Sequence, residues 1–172
     1  WYDAYAKPHV VAPGSALVWV PAPDSTLFRL YPGRQVSNRD GTPTYFRLSG
    51  TSMATAVTSG TIALMLEAAR DAHKADPTPN TIKAILQYTA LPMAGYDRLT
   101  QGAGSLNAVG AIELAEKIDP GVPAGGYWLT DPPSGATTVD GVTYEWAHAV
   151  IWGCGVIWSS TLKAGSPGGA RA

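Results

Sequence analysis

From Ser52 onward, Met53, Ala56, Val57, Gly60, Leu64 and Ala68 recur at three- and four-residue spacing, a period that predicts a helix. Ala54, Ile62, Ala63, Met65 and Leu66 fill the other faces, so the helix is apolar nearly all round. Such a helix is expected to be buried in the middle of a larger protein. Gly60 costs roughly 1 kcal/mol relative to alanine inside a helix, and close packing against a neighbour would explain it. Charge returns at Glu67, Arg70, Asp71 and Lys74, where the helix should surface. Asp76-Pro77-Thr78-Pro79-Asn80 breaks the pattern, and a second helix is predicted from Thr81 to about Thr89, with Ile82, Ile85 and Leu86 on one face. After the tight turn Gly102-Ala103-Gly104, a third helix is predicted from Leu106 or Asn107 to Lys117, burying Val109, Ile112 and Leu114.

Before Ser52 the pattern is short and β-prone. Val10-Val11-Ala12 reads as a brief strand stopped by Pro13-Gly14, and Ala16 to Val20 is a second apolar run. Asp24 to Leu48 reads as irregular and loop-rich, with Tyr45-Phe46-Arg47-Leu48 as a candidate strand. Beyond the third helix, Pro120-Gly121 and Pro123-Ala124-Gly125-Gly126 look like a linker. Strand-like pieces follow at Tyr127-Trp128-Leu129, Gly135 to Val139 and Thr143 to Trp158, with a hairpin signal at Asp140-Gly141. The glycine-rich end, Ala164 to Ala172, is expected to be disordered.

Composition narrows the options. With 45% apolar and 15% charged residues, 172 residues make one domain, or a domain with a small appendage, around a substantial core. A net charge of −1 without a basic run gives no footprint for nucleic acid or an acidic membrane. Cys154 is the only cysteine, so no intrachain disulfide and no multi-cysteine metal site can form. The uncharged run Leu48 to Leu66 is about long enough to span a bilayer, but its seven hydroxyl side chains argue for a buried helix and against membrane insertion. The chain starts at Trp1 in sequence of globular character, with no signal peptide visible.

The candidate chemistry sits at Gly50-Thr51-Ser52-Met53-Ala54, where polar loop gives way to the charge-free helix. A serine there has its hydroxyl beside backbone N–H groups that lack intrahelical partners, as a hydrolase would present a nucleophile next to an oxyanion donor. The plainer reading of such a serine is a helix N-cap.

This pentapeptide resembles the nucleophile motif of subtilisin-like serine proteases. Lys7-Pro8-His9-Val10-Val11-Ala12-Pro13-Gly14 is similar to that family's strand-and-turn segment upstream of the serine. Gln101-Gly102-Ala103-Gly104-Ser105-Leu106-Asn107-Ala108 is similar to the glycine turn that opens its late helix. Three matches in the family's order, from Lys7 to about Ile118, are far more specific than a lone Gly-x-Ser. The resemblance implies an α/β fold: an incomplete, C-terminal part of a subtilisin-like catalytic domain over residues 1–119, its central nucleophile helix on a partial sheet. Residues 120–172 would form a linker and a small β-rich, tryptophan-rich appendage.

The resemblance further implies a serine endopeptidase acting on polypeptides through an acyl-enzyme on Ser52, with Gly50 and Thr51 supporting the oxyanion site. It implies a secreted or extracellular protein and no cofactor in this chain; calcium belongs, if anywhere, to the full-length enzyme. Two departures qualify it. Nothing in residues 1 to 51 resembles the family's aspartate motif, its His-Gly-Thr-His segment or its oxyanion asparagine, and Ala56 stands where the family commonly has proline. The base and orienting acid are therefore expected from a missing N-terminal half of the domain, and the chain alone is expected to be inactive and poorly stable. His73 is excluded as a base on a continuous helix, being roughly 30 Å from Ser52 at 1.5 Å per residue. His9 reads as a surface or strand-edge residue, and His148 lies in the tail.

Two other functions stay open on sequence alone. One is a self-sufficient truncated hydrolase acting on activated esters. The other is a non-catalytic binding module built on Trp146, Trp152 and Trp158, spaced by six. If Thr143 to Trp158 is extended, those tryptophans share one face with His148, Val150, Cys154 and Val156. That face is either packed on a neighbour or displayed as an aromatic stripe.

Overall fold

The computed structural model describes residues 7–22, 24–73, 75–123, 126–152 and 155–158, with backbone alone at 73, 152 and 155–158. Cys154 and the glycine-rich Ala164 to Ala172 lie outside the described residues. The chain divides into two compact units, Ala12–Thr58 and the remainder.

The smaller unit is built on a three-stranded antiparallel sheet. Strand β1 (Leu17–Trp19) and strand β2 (Gln35–Ser37) flank strand β3 (Pro43–Leu48). Helix α1 (Thr26–Leu30) starts at Ser25, whose Oγ accepts a hydrogen bond from the Phe28 N–H at 3.3 Å. Phe28 packs on buried Phe46, ring centroids 5.8 Å apart, and the Gln35 Nε2 donates to the Phe28 carbonyl at 2.8 Å. The stretch from Asp24 to Leu48 is thus more regular than its glycines, prolines and charges suggest. Cross-strand pairing of Gln35 with Phe46, eleven residues away, supplies the order that no local period shows.

Helix α2 (Thr51–His73) runs unbroken through Ala56 and passes from the smaller unit into the larger one. It is not buried on all sides. Only Thr61, Met65 and Ala69, a stripe at four-residue spacing, are buried among its described residues, and Leu64 is 49% exposed. A side chain at Gly60 would meet nothing within 4 Å, so close packing does not explain that glycine in this structure. Within the larger unit the described residues bury Thr61, Met65 and Ala69 of α2, while Ala63, Leu64 and Glu67 are exposed.

In the larger unit, helix α3 (Pro79–Tyr88) starts two residues earlier than expected, because Thr78 caps it and Pro79 takes the first position, where a missing N–H is harmless. Helix α4 (Arg98–Gln101) is a single turn, and helix α5 (Ala108–Lys117) is capped by Asn107. Strands β4 (Ala136–Val139) and β5 (Val142–Glu145) form the expected hairpin, with Asp140 and Gly141 at φ 50° and 80°. Strands β6 (Ala149–Trp152) and β7 (Gly155–Trp158) form a second one. The core gathers Met65 from α2, Ile85, Leu86 and Tyr88 from α3, Ala111, Leu114 and Ala115 from α5, and Trp146 and Val150.

Three expected strands differ. Val10-Val11-Ala12 makes a single parallel bridge, Val11 with Ser105, and Leu129 makes a single bridge with Ile118. Thr143 to Trp158 is not one extended face: His148 takes φ 48° and turns the chain between β5 and β6. Trp146, 3% exposed, is in the core and not on an open stripe. The side chains of Trp152 and Trp158 lie outside the described residues.

Candidate active site

Strand β3 ends at Leu48, and Ser49-Gly50 turn the chain into α2, which places Ser52 in the first turn of the helix. The entry is fastened to Gly14–Ala16 from both sides. The Gly50 N–H donates to the Gly14 carbonyl at 2.8 Å, and the Ala16 N–H donates to Ser49 Oγ at 2.8 Å. The Gly50 carbonyl accepts from the N–H groups of Met53 and Ala54 at 3.1 and 3.3 Å, closing the first turn. The backbone N–H groups of Thr51 and Ser52 are left over, as the first donors of any helix are.

Ser52 and Thr51 are both exposed, and among the described residues the Ser52 Oγ has no hydrogen-bond partner. The Thr51 carbonyl accepts from Thr55 Oγ1 at 2.9 Å. With no acidic residue in the first turn, nothing offsets the positive end of the helix dipole there. An oxyanion forming on a carbonyl attacked by Ser52 would meet the unused Ser52 N–H in a positive field, the elementary requirement for acyl transfer.

Two of the motifs singled out in the sequence meet here for a steric reason. A side chain on Gly14 would place its Cβ 2.7 Å from the Gly50 oxygen and 3.1 Å from the Ala54 Cβ. Pro13-Gly14 is therefore the floor under the serine turn. In the protein expressed from its complete reading frame, replacing Gly14 by alanine is expected to push the start of α2 aside and slow covalent labelling of Ser52 by a fluorophosphonate roughly tenfold to a hundredfold, since an error of about 1 Å in placement carries that cost. Labelling at the unaltered rate would show that the contact has slack.

The third motif does analogous work in the larger unit. His9, Val11 and the Gly102–Leu106 turn interlock through Ala103 N–H to His9 O (2.9 Å), Val11 N–H to Gly104 O (3.0 Å) and Leu106 N–H to Val11 O (2.7 Å). Gly102, at φ 64°, leaves no room for a side chain against the His9 and Pro8 carbonyls. Buried Gln101 closes the loop before it, accepting from the Met93 N–H at 2.7 Å and donating to the carbonyls of Met93 and Tyr96.

No histidine lies within Ala12–Thr58; His9, His73 and His148 all belong to the larger unit. His9 is half-buried, and burial, with Lys7 and Lys83 nearby, pulls its pKa below the ordinary value. The His148 ring lies against Tyr88 and Trp146, centroids 5.1 and 6.4 Å away. Among the described residues no group of three or more His, Cys, Asp or Glu side chains could hold a metal ion, and no helix is long and apolar enough to cross a membrane.

Beside His9 the larger unit has an apolar groove of about 420 Å³, lined by Val10, Ile62, Ile82 and Leu86 with Lys83 at its border. The Val10 N–H and C=O point away from the Gly104 pairing, and among the described residues they bond to nothing. Unpaired backbone in an extended segment beside an apolar groove could accept an added strand. The sequence pattern did not reveal this feature, because it marks apolar positions and not which backbone edge is already paired.

Residues 1–111 match the sequence profile of the Subtilase family. The serine protease AprX of Bacillus subtilis is 34% identical over 106 residues, which are 62% of this chain and 22% of that protein. The patellamide maturation protease PatA is 29% identical, with a TM-score of 0.43, over 62% of this chain and 33% of its own. The self-cleaved protease domain of PatA is 40% identical, with a TM-score of 0.35, over 44% of this chain and 27% of its own. The chain thus spans about a fifth of AprX and a third of PatA.

Proposed function

Because the chain belongs to the subtilase family of serine proteases, we propose that it carries the nucleophile of an endopeptidase. Ser52 attacks the peptide carbonyl, the Ser52 N–H receives the oxyanion, and Gly50 and Thr51 shape the turn. Water then releases the acyl group. The observation that carries this reading is the Ser52 turn itself: an exposed hydroxyl without a partner at a helix start, clamped by Gly14. A serine recruited only as an N-cap would spend its Oγ on the backbone N–H two or three residues on, and this one does not.

A hydroxyl without a base is a poor nucleophile at neutral pH, and nothing in residues 1–51 resembles the family's aspartate or His-Gly-Thr-His motif. We therefore assign the base and its orienting carboxylate to further polypeptide of the subtilase domain. One of its strands would lie along Val10, with apolar side chains in the adjoining groove. Exposed Leu64 of α2, with open space at Gly60, fits the same partner. The family also implies a secreted setting and polypeptide substrates.

The test is fluorophosphonate labelling of Ser52 in two preparations: the 172-residue chain, and the protein expressed from its complete reading frame. We expect labelling only where a base is supplied. Rapid labelling of the chain alone, lost on Ser52→Ala, would replace this reading with a self-sufficient hydrolase. Absence of labelling in both would remove the nucleophile assignment altogether.

A further inference from the structure

In the smaller unit, strand alternation puts Phe46 on the face that Phe28 covers and sends Tyr45 and Arg47 to the other. On that outer face Val18 stands directly across from Arg47, and Val36 directly across from Tyr45. Val18 is 45% exposed, Tyr45 37%, and Arg47 is exposed, while Val36 is half-buried. Among the described residues the Arg47 guanidinium has neither a hydrogen bond nor an ion pair.

The surroundings share its sign. Ala12–Thr58 contains Arg29, Arg34, Arg39 and Arg47 against Asp24 and Asp40, so this unit carries a net +2 inside a chain whose net charge is −1. Asp40 is occupied, accepting from the Thr42 N–H at 2.8 Å. Position adds to charge. Arg47 precedes Ser52 by five residues, so their Cα atoms are at most about 18 Å apart. An extended peptide advances about 3.3 Å per residue, which brings Arg47 within reach of side chains up to about five residues from a bond held at Ser52.

We infer that the outer face of this sheet, Arg47 flanked by Val18 and Tyr45, is a specificity subsite that selects polypeptide substrates carrying an acidic side chain within a few residues of the scissile bond. The inference rests on the proposed peptidase role of Ser52. The guanidinium supplies a fork of donors that matches a carboxylate. Val18 and the Tyr45 ring supply apolar walls that keep the substrate backbone close to the strand. Because the site is open to water, the expected discrimination is modest and sensitive to salt.

The experiment uses the protein expressed from its complete reading frame and a peptide set in which Glu, Gln or Lys is scanned through the five positions on either side of one cleaved bond. At one position on one side, kcat/KM is expected to be roughly threefold to fivefold higher for Glu than for Gln, the range of an exposed ion pair, and lower still for Lys. The preference should shrink in 0.5 M salt. Arg47→Gln should flatten it, and Arg47→Glu should invert it toward Lys. Fluorophosphonate labelling run alongside reports whether Ser52 is functional in each protein. Cleavage and labelling with no Glu–Gln–Lys discrimination, or a preference that Arg47→Glu leaves uninverted, would overturn the subsite and leave the peptidase reading intact. Neither cleavage nor labelling would overturn the peptidase reading and the subsite with it.

Discussion

Replacing Ser52 by alanine in the protein expressed from its complete reading frame is expected to lower peptide-bond hydrolysis by about a millionfold and to abolish fluorophosphonate labelling. In subtilisin, loss of the serine or the histidine costs about 2 × 10⁶ in turnover, because the members of the triad act as a unit. The fold should hardly notice. Ser52 is exposed, and its hydroxyl makes no hydrogen bond among the described residues. Removing it takes away no buried contact, and alanine is the better helix former at this position. The two readouts together are diagnostic. A large loss of activity with an unchanged denaturation midpoint places Ser52 in the chemistry, whereas a matching loss of stability would make it a structural residue. Activity within tenfold of the unaltered protein would transfer the nucleophile elsewhere and undo the functional reading.

How much of this was legible in the sequence differs from element to element. Helix α2 was plain to within one residue of its start, because a three-and-four period over about four turns is a local signal that needs no partner. The role of Gly14 was half legible. The Pro13-Gly14 stop is visible in any sequence, but the demand for a hydrogen side chain comes from the Gly50 oxygen, 36 residues away, which a Cβ would approach to 2.7 Å. Burial of α2 was misjudged for a related reason. Composition reports what a helix is suited to touch, whereas exposure depends on which elements are there to touch it, and among the described residues of α2 only Thr61, Met65 and Ala69 are buried. The site itself was read from the serine turn. The open edge at Val10 and the arginine opposite Val18 emerged only from strand pairing, since alternation alone does not tell which edge or face stays uncovered. The glutamines show the same limit. Gln87 is fully buried, yet nothing in its helical period reveals that its Oε1 accepts from the Ile151 N–H, 64 residues on.

The tryptophan segment is where the largest stability effect is expected. Trp146→Ala should destabilise the chain by about 3–5 kcal/mol, the range for truncating a buried aromatic residue, read as a lowered urea midpoint. Trp146 is 3% exposed and sits edge-on to Tyr88, ring centroids 6.5 Å apart. Its Nε1 donates to Thr137 Oγ1 at 2.8 Å, and the same Oγ1 accepts from Asn107 Nδ2 at 2.9 Å. Asn107 also donates to the Thr89 carbonyl and accepts from the Gly110 N–H, the bond that caps α5. A side chain on Gly110 would stand 2.8 Å from the indole, so that glycine makes room for it. Truncation therefore opens a cavity and strips one donor from a buried hydrogen-bond network. Trp146→Phe separates the two costs. It keeps most of the volume and loses the donor, and is expected to cost about 0.5–1.5 kcal/mol, the net worth of one hydrogen bond, because Thr137 Oγ1 still accepts from Asn107. If Trp146→Ala moved the midpoint no more than a surface substitution does, roughly 0.5 kcal/mol, the strands after residue 126 would be an independent appendage. An effect of the expected size would make Thr137 and Trp146 part of the core that supports α3 and α5.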